Sequence, residues 1–531
     1  MKKNGKNKLA LLLLIPIFIF YAGYFFNYAP GYRPTGFIQY DNISYVAYAK
    51  QYIDHPGTGI GYSNPLNDGG NYPAIYFQTQ TLLLAILLRT GIDPGLAICI
   101  FSILFCFFAI RTAIAVYDEL YPGGKHRNKT LVLFIWGGGI ISLSCMLLKP
   151  FMTTELNFWS TISYFDPEDG WWGLNFGRSL IFGTESYYHF LFFWSFLLLL
   201  RKKWLSASML AFILSFSHPF TGIHLLLLIL GWICMEKIIF KNKEIPWWLF
   251  ASTGLLIFLH LYYYLFYLPS FADHKSVSEQ YSVNWNYWHY RSLPAFIPAY
   301  ILVFSLFIVS LRIQRVKHFF SNSNNRLLLC LAIVSLLLCN HDIFIKPMQP
   351  IHFARGYEWT AYFLMGVPAI HYLFSRVSTA RIRRPVLYLF MILLLSDNFL
   401  WILKYVRTAR GNETTISVTQ QEIIDVVSLH ADNSTLLIGS DPFLMPYCAV
   451  YTKGYPWFSH PYTTPYYEKK KDAYTRFIQK NMVDSAWKGR DCILIFNKAD
   501  SSELKRASQL QFQSITLADT KTFLIVKGMF P

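Results

Sequence analysis

The residues best suited to chemistry in this chain are carboxylates and cations that sit just beyond apolar runs. In "GFIQYDNISYVAYAKQY", residues 36–52, Asp41 opens a stretch in which Tyr45, Tyr48, Ala49, Tyr52 and Ile53 recur at helical spacing. A carboxylate there has two uses. Asp41 or Asn42 can cap the helix, worth about 1 kcal/mol, or Asp41 can take a proton from a reacting hydroxyl or amine.

Three further groups stand out. "ELNFWSTISYFDPEDGWWGLNFGR", residues 155–178, offers Glu155, Asp166, Glu168 and Asp169; "DPEDG" is strong turn chemistry, so these acids suit a solvated turn, and a metal would need several such oxygen ligands together. "NHDIFIKPMQPIHFARGYEWT", residues 340–360, concentrates Lys346, His352 and Arg355. An arginine fork matches phosphate oxygens, and it can also snorkel to lipid head groups. His218 in "SHPFTG" can hold substrate or serve as a cap. Glu185 and Asp397 fall near the outer ends of apolar runs, where ionisable groups are functional suspects.

The elements that must position these residues are membrane helices. Of the 531 residues, 54% are hydrophobic and 15% charged, and mean hydropathy is +0.31, more apolar surface than a soluble chain of this length can hide. The net charge of +17 comes from short basic clusters between apolar runs. That pattern marks the cytoplasmic side of a membrane protein and argues against nucleic acid as a partner.

Apolar runs at 9–26, 95–117, 131–148, 187–200, 204–217, 221–239, 247–268, 295–311, 327–338, 357–374 and 386–406 give about eleven spans, the first read as a retained helix. The segment 73–90 is interrupted by Gln78, Thr79 and Gln80. If it lies along the outer surface instead of crossing, basic clusters such as Arg201/Lys202/Lys203 and Arg381/Arg383/Arg384 all fall inside. The N-terminus is then cytoplasmic, and the loop 27–94 and the tail are extracytoplasmic. Residues 1–406 form the membrane domain on this reading and 407–531 a separate one.

In the tail, "STLLIGS", "DCILIFNK" and "KTFLIVKG" read as strands, and 417–431, 463–482 and 501–510 as helices, the first capped by Ser417 or Thr419. The expected fold class is mainly α, polytopic transmembrane, with juxtamembrane helices and a small C-terminal α/β domain. Cys448 and Cys492 lie in this exported part, where a disulfide is open to them.

The order of first helix, "GFIQYDNISYVAYAKQY" and "NYPAIYFQTQTLLLAILLRTGIDP" resembles the opening of the GT-C glycosyltransferases, the superfamily of protein mannosyltransferases, aminoarabinose transferases and oligosaccharyltransferases. The resemblance covers the arrangement of essentially the whole chain, through few short motifs. It implies a transferase that takes a sugar from a polyprenyl-phosphate donor, with inversion, to a glycan, lipid or protein acceptor at the outer face of a membrane, with membrane lipids around it. It makes Asp41 similar to the catalytic acid and aligns Arg355, with Lys346 and His352, with the donor phosphate. It makes an acid of the second outer loop, among Glu155, Asp166, Glu168 and Asp169, a candidate for the acceptor or for a metal, and leaves Mg²⁺ or Mn²⁺ open as a cofactor. Asn42 stands where many members carry Glu. A transporter or flippase of lipid-linked glycans, a polymerase or ligase, and a non-catalytic scaffold are the alternatives. The short basic N-terminus suits a bacterial inner membrane.

Overall fold

The computed structural model describes residues 3–69, 72–124, 126–155, 157–165, 173–285, 295–377, 383–408, 415–441, 443–510 and 514–531. The chain divides into two compact units. One contains 1–23, 101–262 and 285–408; the other contains 24–100, 263–284 and 409–531.

Among the described residues, six helices are long and apolar enough to cross a membrane: Gly5–Phe26, Pro94–Leu120, Pro219–Ile239, Trp247–Ser270, Phe296–Gln314 and Leu387–Arg407. The pair Arg127–Trp136 and Ile141–Phe151, bent by 57°, makes a seventh candidate when counted as one broken span. These make the chain a multi-pass membrane protein. The four other runs expected to span are helical too, as Gly183–Leu200, Trp204–Ser217, Ser323–Cys339 and Tyr357–Val377. They are shorter or more polar. Trp204–Ser217, for example, has 14 residues, about 21 Å at 1.5 Å per residue, against the ~30 Å of a hydrocarbon core.

The bend of the seventh span falls at Gly137–Gly138–Gly139. A Cβ at Gly137 would strike Trp359, one at Gly138 would strike Asn398, and one at Gly139, where φ is +84°, would strike the carbonyls of Pro298 and Ala299. Breaking a helix inside the membrane strands backbone groups that have no water to turn to. Asp397 and Asn398 satisfy both sides of the break. The Asp397 carboxylate accepts the Ile141 and Ser142 N–H groups, while the Asn398 amide donates to the Trp136 and Gly137 carbonyls. The intramembrane acid that the sequence marks as a functional suspect therefore has a structural use. Asp397→Ala orphans two buried amides at roughly 1–3 kcal/mol each before relaxation. We expect a loss of about 3 kcal/mol, read as earlier thermal unfolding in detergent, and unchanged stability would refute the role.

In the second unit the strands are β1 (Tyr32–Pro34), β2 (Thr415–Ser417), β3 (Leu436–Gly439), β4 (Tyr455–Pro456), β5 (Asp491–Asn497), β6 (Ser514–Asp519) and β7 (Phe523–Met529). The five-stranded sheet has the order β4-β3-β5-β7-β6, parallel through β4, β3 and β5 and antiparallel beyond. Buried runs such as Leu436–Gly439 occupy its middle, as central strands must. Trp457, Phe477, Trp487, Leu494 and Phe530 form its core. Helix Val418–His430 starts at Ser417 with a complete capping box to Gln420. Cys448 and Cys492 are both buried free thiols, so the disulfide left open by the sequence is not formed.

The first loop is part of this unit. β1 pairs antiparallel with β2, tying residues 32–34 to 415–417. Helix Tyr40–Asp54 packs on Thr79–Leu88, itself 10 residues and about 15 Å long, too short to cross a bilayer. Its other neighbour is the tail helix Leu444–Tyr451, so Ile43, Val46, Ala49 and Tyr52 are buried in protein.

Candidate functional site

Helix Tyr40–Asp54 begins at an extended N-cap, Gln39, which makes no side-chain capping bond. Asp41 is therefore not the cap expected from the sequence. It stands in the first turn, where the helix dipole favours a negative charge by about 0.3–1 kcal/mol, and its side chain is 56% exposed. Asn42, the other capping candidate, is buried.

Facing Asp41 is His460, whose Nε2 lies 3.7 Å from Asp41 Oδ1. His460 follows β4 in "SHPYTT", a turn in which its carbonyl accepts the Thr463 and Thr464 N–H groups. The Tyr462 N–H donates to His460 Nδ1 at 3.0 Å. With Nδ1 accepting, the proton of the neutral ring sits on Nε2, toward the carboxylate. Burial holds this imidazole down at about 4, so it is neutral at pH 7 and adds no charge beside Asp41.

A pH dependence of stability follows. The unfolded state takes up a proton near pH 6.5 that the folded state refuses until about pH 4. Stability from this group is complete above pH 6.5 and falls as pH is lowered, by up to about 1.4 kcal/mol per unit, about 3 kcal/mol in all. His274, also held at about 4 by burial, acts in the same direction. The melting temperature of the full chain should drop between pH 6.5 and 4, less steeply for His460→Gln; equal slopes would show that His460 is not the group responsible.

The other unit gathers four of the residues singled out in the sequence. Arg355 is 2% exposed, and its guanidinium is ion-paired with Glu185. Arg355 Nε donates to the His352 carbonyl at 2.8 Å, and Nη2 lies 3.0 Å from His218 Nε2 and 3.3 Å from His352 Nδ1. The backbone explains the placement. Arg355 and Gly356 both adopt positive φ, +39° and +69°, and a Cβ at Gly356 would strike the backbone of Asn175 and Phe176. Desolvation holds the His352 ring at about 4, so it adds no charge beside Arg355.

His218 caps helix Pro219–Cys234, its Nδ1 accepting the Thr221 N–H at 3.1 Å. Lys346 is exposed on the same loop as Arg355, and Glu155 is exposed in its own loop. Asp166, Glu168 and Asp169 lie outside the described residues. Among the described residues, no three His, Cys, Asp or Glu side chains group to hold a metal ion.

The neighbour of Asp41 that the sequence reading missed is His460. A signal for it exists, because Ser-His-Pro occurs twice, at 217–219 and 459–461. Proline keeps the preceding histidine extended, and in both copies Nδ1 then accepts a backbone N–H just downstream.

No protein-family model matches the sequence, and no curated protein matches it. Among solved structures, the oligosaccharyltransferase of Archaeoglobus fulgidus in its apo form superposes with a TM-score of 0.51 at 9% identity. That match covers 86% of this chain and 65% of the archaeal one, so the chain spans just under two thirds of that structure's length. The same enzyme tethered to an acceptor peptide containing the NVT sequon gives 0.52 at 9% identity, over 98% of this chain and 74% of the other. A third structure, the enzyme with an inhibitory peptide and a dolichol-phosphate, gives 0.44 at 11% identity over 85% and 64%, too loose to bear on the fold. In fold, this chain is similar to a membrane oligosaccharyltransferase of the GT-C type.

Proposed function

We propose that the chain is an integral-membrane glycosyltransferase that moves a sugar from a polyprenyl-phosphate donor to a glycan, lipid or protein acceptor at the outer face of a bacterial inner membrane. The observation that carries this reading is Asp41: an exposed carboxylate in a helix first turn, not used as a cap, with the His460 imidazole 3.7 Å away. The GT-C-type fold supports it.

In the reaction, the acceptor hydroxyl or amine attacks the anomeric carbon as the bond to the donor phosphate breaks. The acceptor's proton passes to the Asp41 carboxylate, and the polyprenyl phosphate departs with the bonding electron pair. A single displacement of this kind inverts the anomeric centre. The basic loop 340–356 receives the donor phosphate, with Lys346 at its exposed side and Arg355 and His352 within. Arg355 Nη2 lies within hydrogen-bond reach of His218 Nε2 and His352 Nδ1, so the two rings help aim the guanidinium fork, a group suited to an anion.

Deletion of the gene in its native host, with mass spectrometry of surface glycans and lipid-linked sugars, tests the proposal. The expected result is a missing sugar and an accumulated polyprenyl-linked donor, restored by the wild-type gene. Unchanged glycans would overturn it.

A further inference from the structure

In the second unit a cleft of about 140 Å³ opens between helix Ala272–Trp285 and the first-loop segment 64–76. It is lined chiefly by Asn64, Asn67, Tyr72, Tyr76, Phe271 and Asp273. The aromatic walls are held from behind. Tyr76 stacks on Tyr62 at 5.5 Å, Tyr62 stacks on Tyr48 at 5.3 Å, and the Tyr76 hydroxyl lies 3.2 Å from His274 Nδ1. The Tyr72 hydroxyl donates to Asp68 at 2.8 Å.

The polar groups are held as firmly. Asn67 donates to Asp273 at 3.0 Å through Nδ2 and accepts from Lys470 Nζ at 2.7 Å through Oδ1. Asn64 donates to the Thr463 carbonyl at 2.7 Å. Behind this layer, Lys470 Nζ lies 3.4 Å from Asp68 and its charge is shared between Asp68 and Asp273, while Arg490 donates to the Asp68 carbonyl.

The cleft therefore presents flat aromatic carbon beside a carboxylate and amides, with no cation among its lining residues. A saccharide ring is the ligand with matching parts, since it carries a C–H face for the aromatic rings and hydroxyls for the carboxylate and amides. A uronate or phosphorylated sugar would meet the Asp273 carboxylate in the wall, while the cation behind it, Lys470, is already shared between Asp68 and Asp273. The volume is well under the ~300–1,000 Å³ of drug-sized pockets, which limits the occupant to about one ring.

We propose that this cleft is a binding subsite for one uncharged sugar ring, seated against Tyr72 and Tyr76 with its hydroxyls on Asp273 and Asn67. The inference rests on the saccharide-transfer reading above and names a subsite for it.

The test is saturation-transfer difference NMR on the full chain in nanodiscs, with methyl glycosides of glucose, galactose, mannose, N-acetylglucosamine and glucuronic acid. At least one uncharged glycoside should bind, and the glucuronide should bind at least tenfold more weakly. Tyr72→Ala and Asp273→Asn should each weaken the best ligand tenfold or more. Tyr72→Phe, which keeps the ring, should stay within about threefold of wild type.

Absence of binding by every uncharged glycoside, binding that survives both Tyr72→Ala and Asp273→Asn, or equal binding of the glucuronide would overturn the proposal. If no glycoside binds while deletion of the gene still removes a sugar, the cleft inference fails and the transferase reading stands. If glycosides bind as expected while glycans are unchanged by deletion, the cleft is a saccharide site and the transferase reading fails.

Discussion

Asp41→Asn should lower sugar transfer by about 10²–10⁴-fold, the usual contribution of a positioned general base. The substitution keeps the shape of the side chain and removes its ability to hold a proton from the acceptor. Because the lost interaction is made as the proton moves, the fall should appear in kcat with little change in the KM for donor. The fold should not suffer. Asp41 is more than half exposed and does not cap its helix, so the loss of stability should be small, of the order of the ~0.3–1 kcal/mol dipole contribution. Transfer by the purified variant, measured beside its melting temperature, separates the roles. Wild-type turnover would reduce Asp41 to a first-turn acid, and a large fall in melting temperature would make it structural.

The second large effect concerns Glu185 and Arg355. Both are buried, so removing either partner leaves the other's charge without its counter-ion. Arg355→Met and Glu185→Gln should each cost about 3–5 kcal/mol, while the double variant should recover much of that loss, because neutral groups of similar size carry no desolvation penalty. Thermal unfolding of all four forms gives the coupling directly. The same set tests the phosphate role. If Arg355 serves the donor, the double variant regains stability and still shows a raised KM for donor or little turnover. If it regains both, Arg355 is only half of a structural pair and the donor phosphate is held elsewhere.

The sequence and the structure agree most closely where local pattern suffices. The eleven apolar runs form helices, one of them broken at residues 137–140, because an apolar stretch has few other ways to satisfy its backbone, but only six or seven of them are long and apolar enough to cross a membrane. Val418–His430 was legible from its stripe and from Ser417, and β3, β5 and β7 from short β-branched and leucine runs. β6 was not, since Ser514–Asp519 is a mostly exposed edge strand with little hydrophobic signal. β1 and β2 were not legible either. Three residues each, they are strands only because they meet across nearly four hundred positions, and no local window contains that pairing.

The same division runs through the candidate site. Residue type and placement beyond the apolar runs determined that this is a membrane chain with Asp41, Glu185, His218, His352 and Arg355 at positions fit for chemistry. Tertiary structure alone decided what each one faces: His460 beside Asp41, Glu185 on Arg355, and Asp397 on the broken span rather than in a site. The reason is physical. Helix formation and membrane insertion depend on short stretches of composition, whereas the partner of a charged group is set by packing between segments hundreds of residues apart, which leaves no periodicity in the sequence to read.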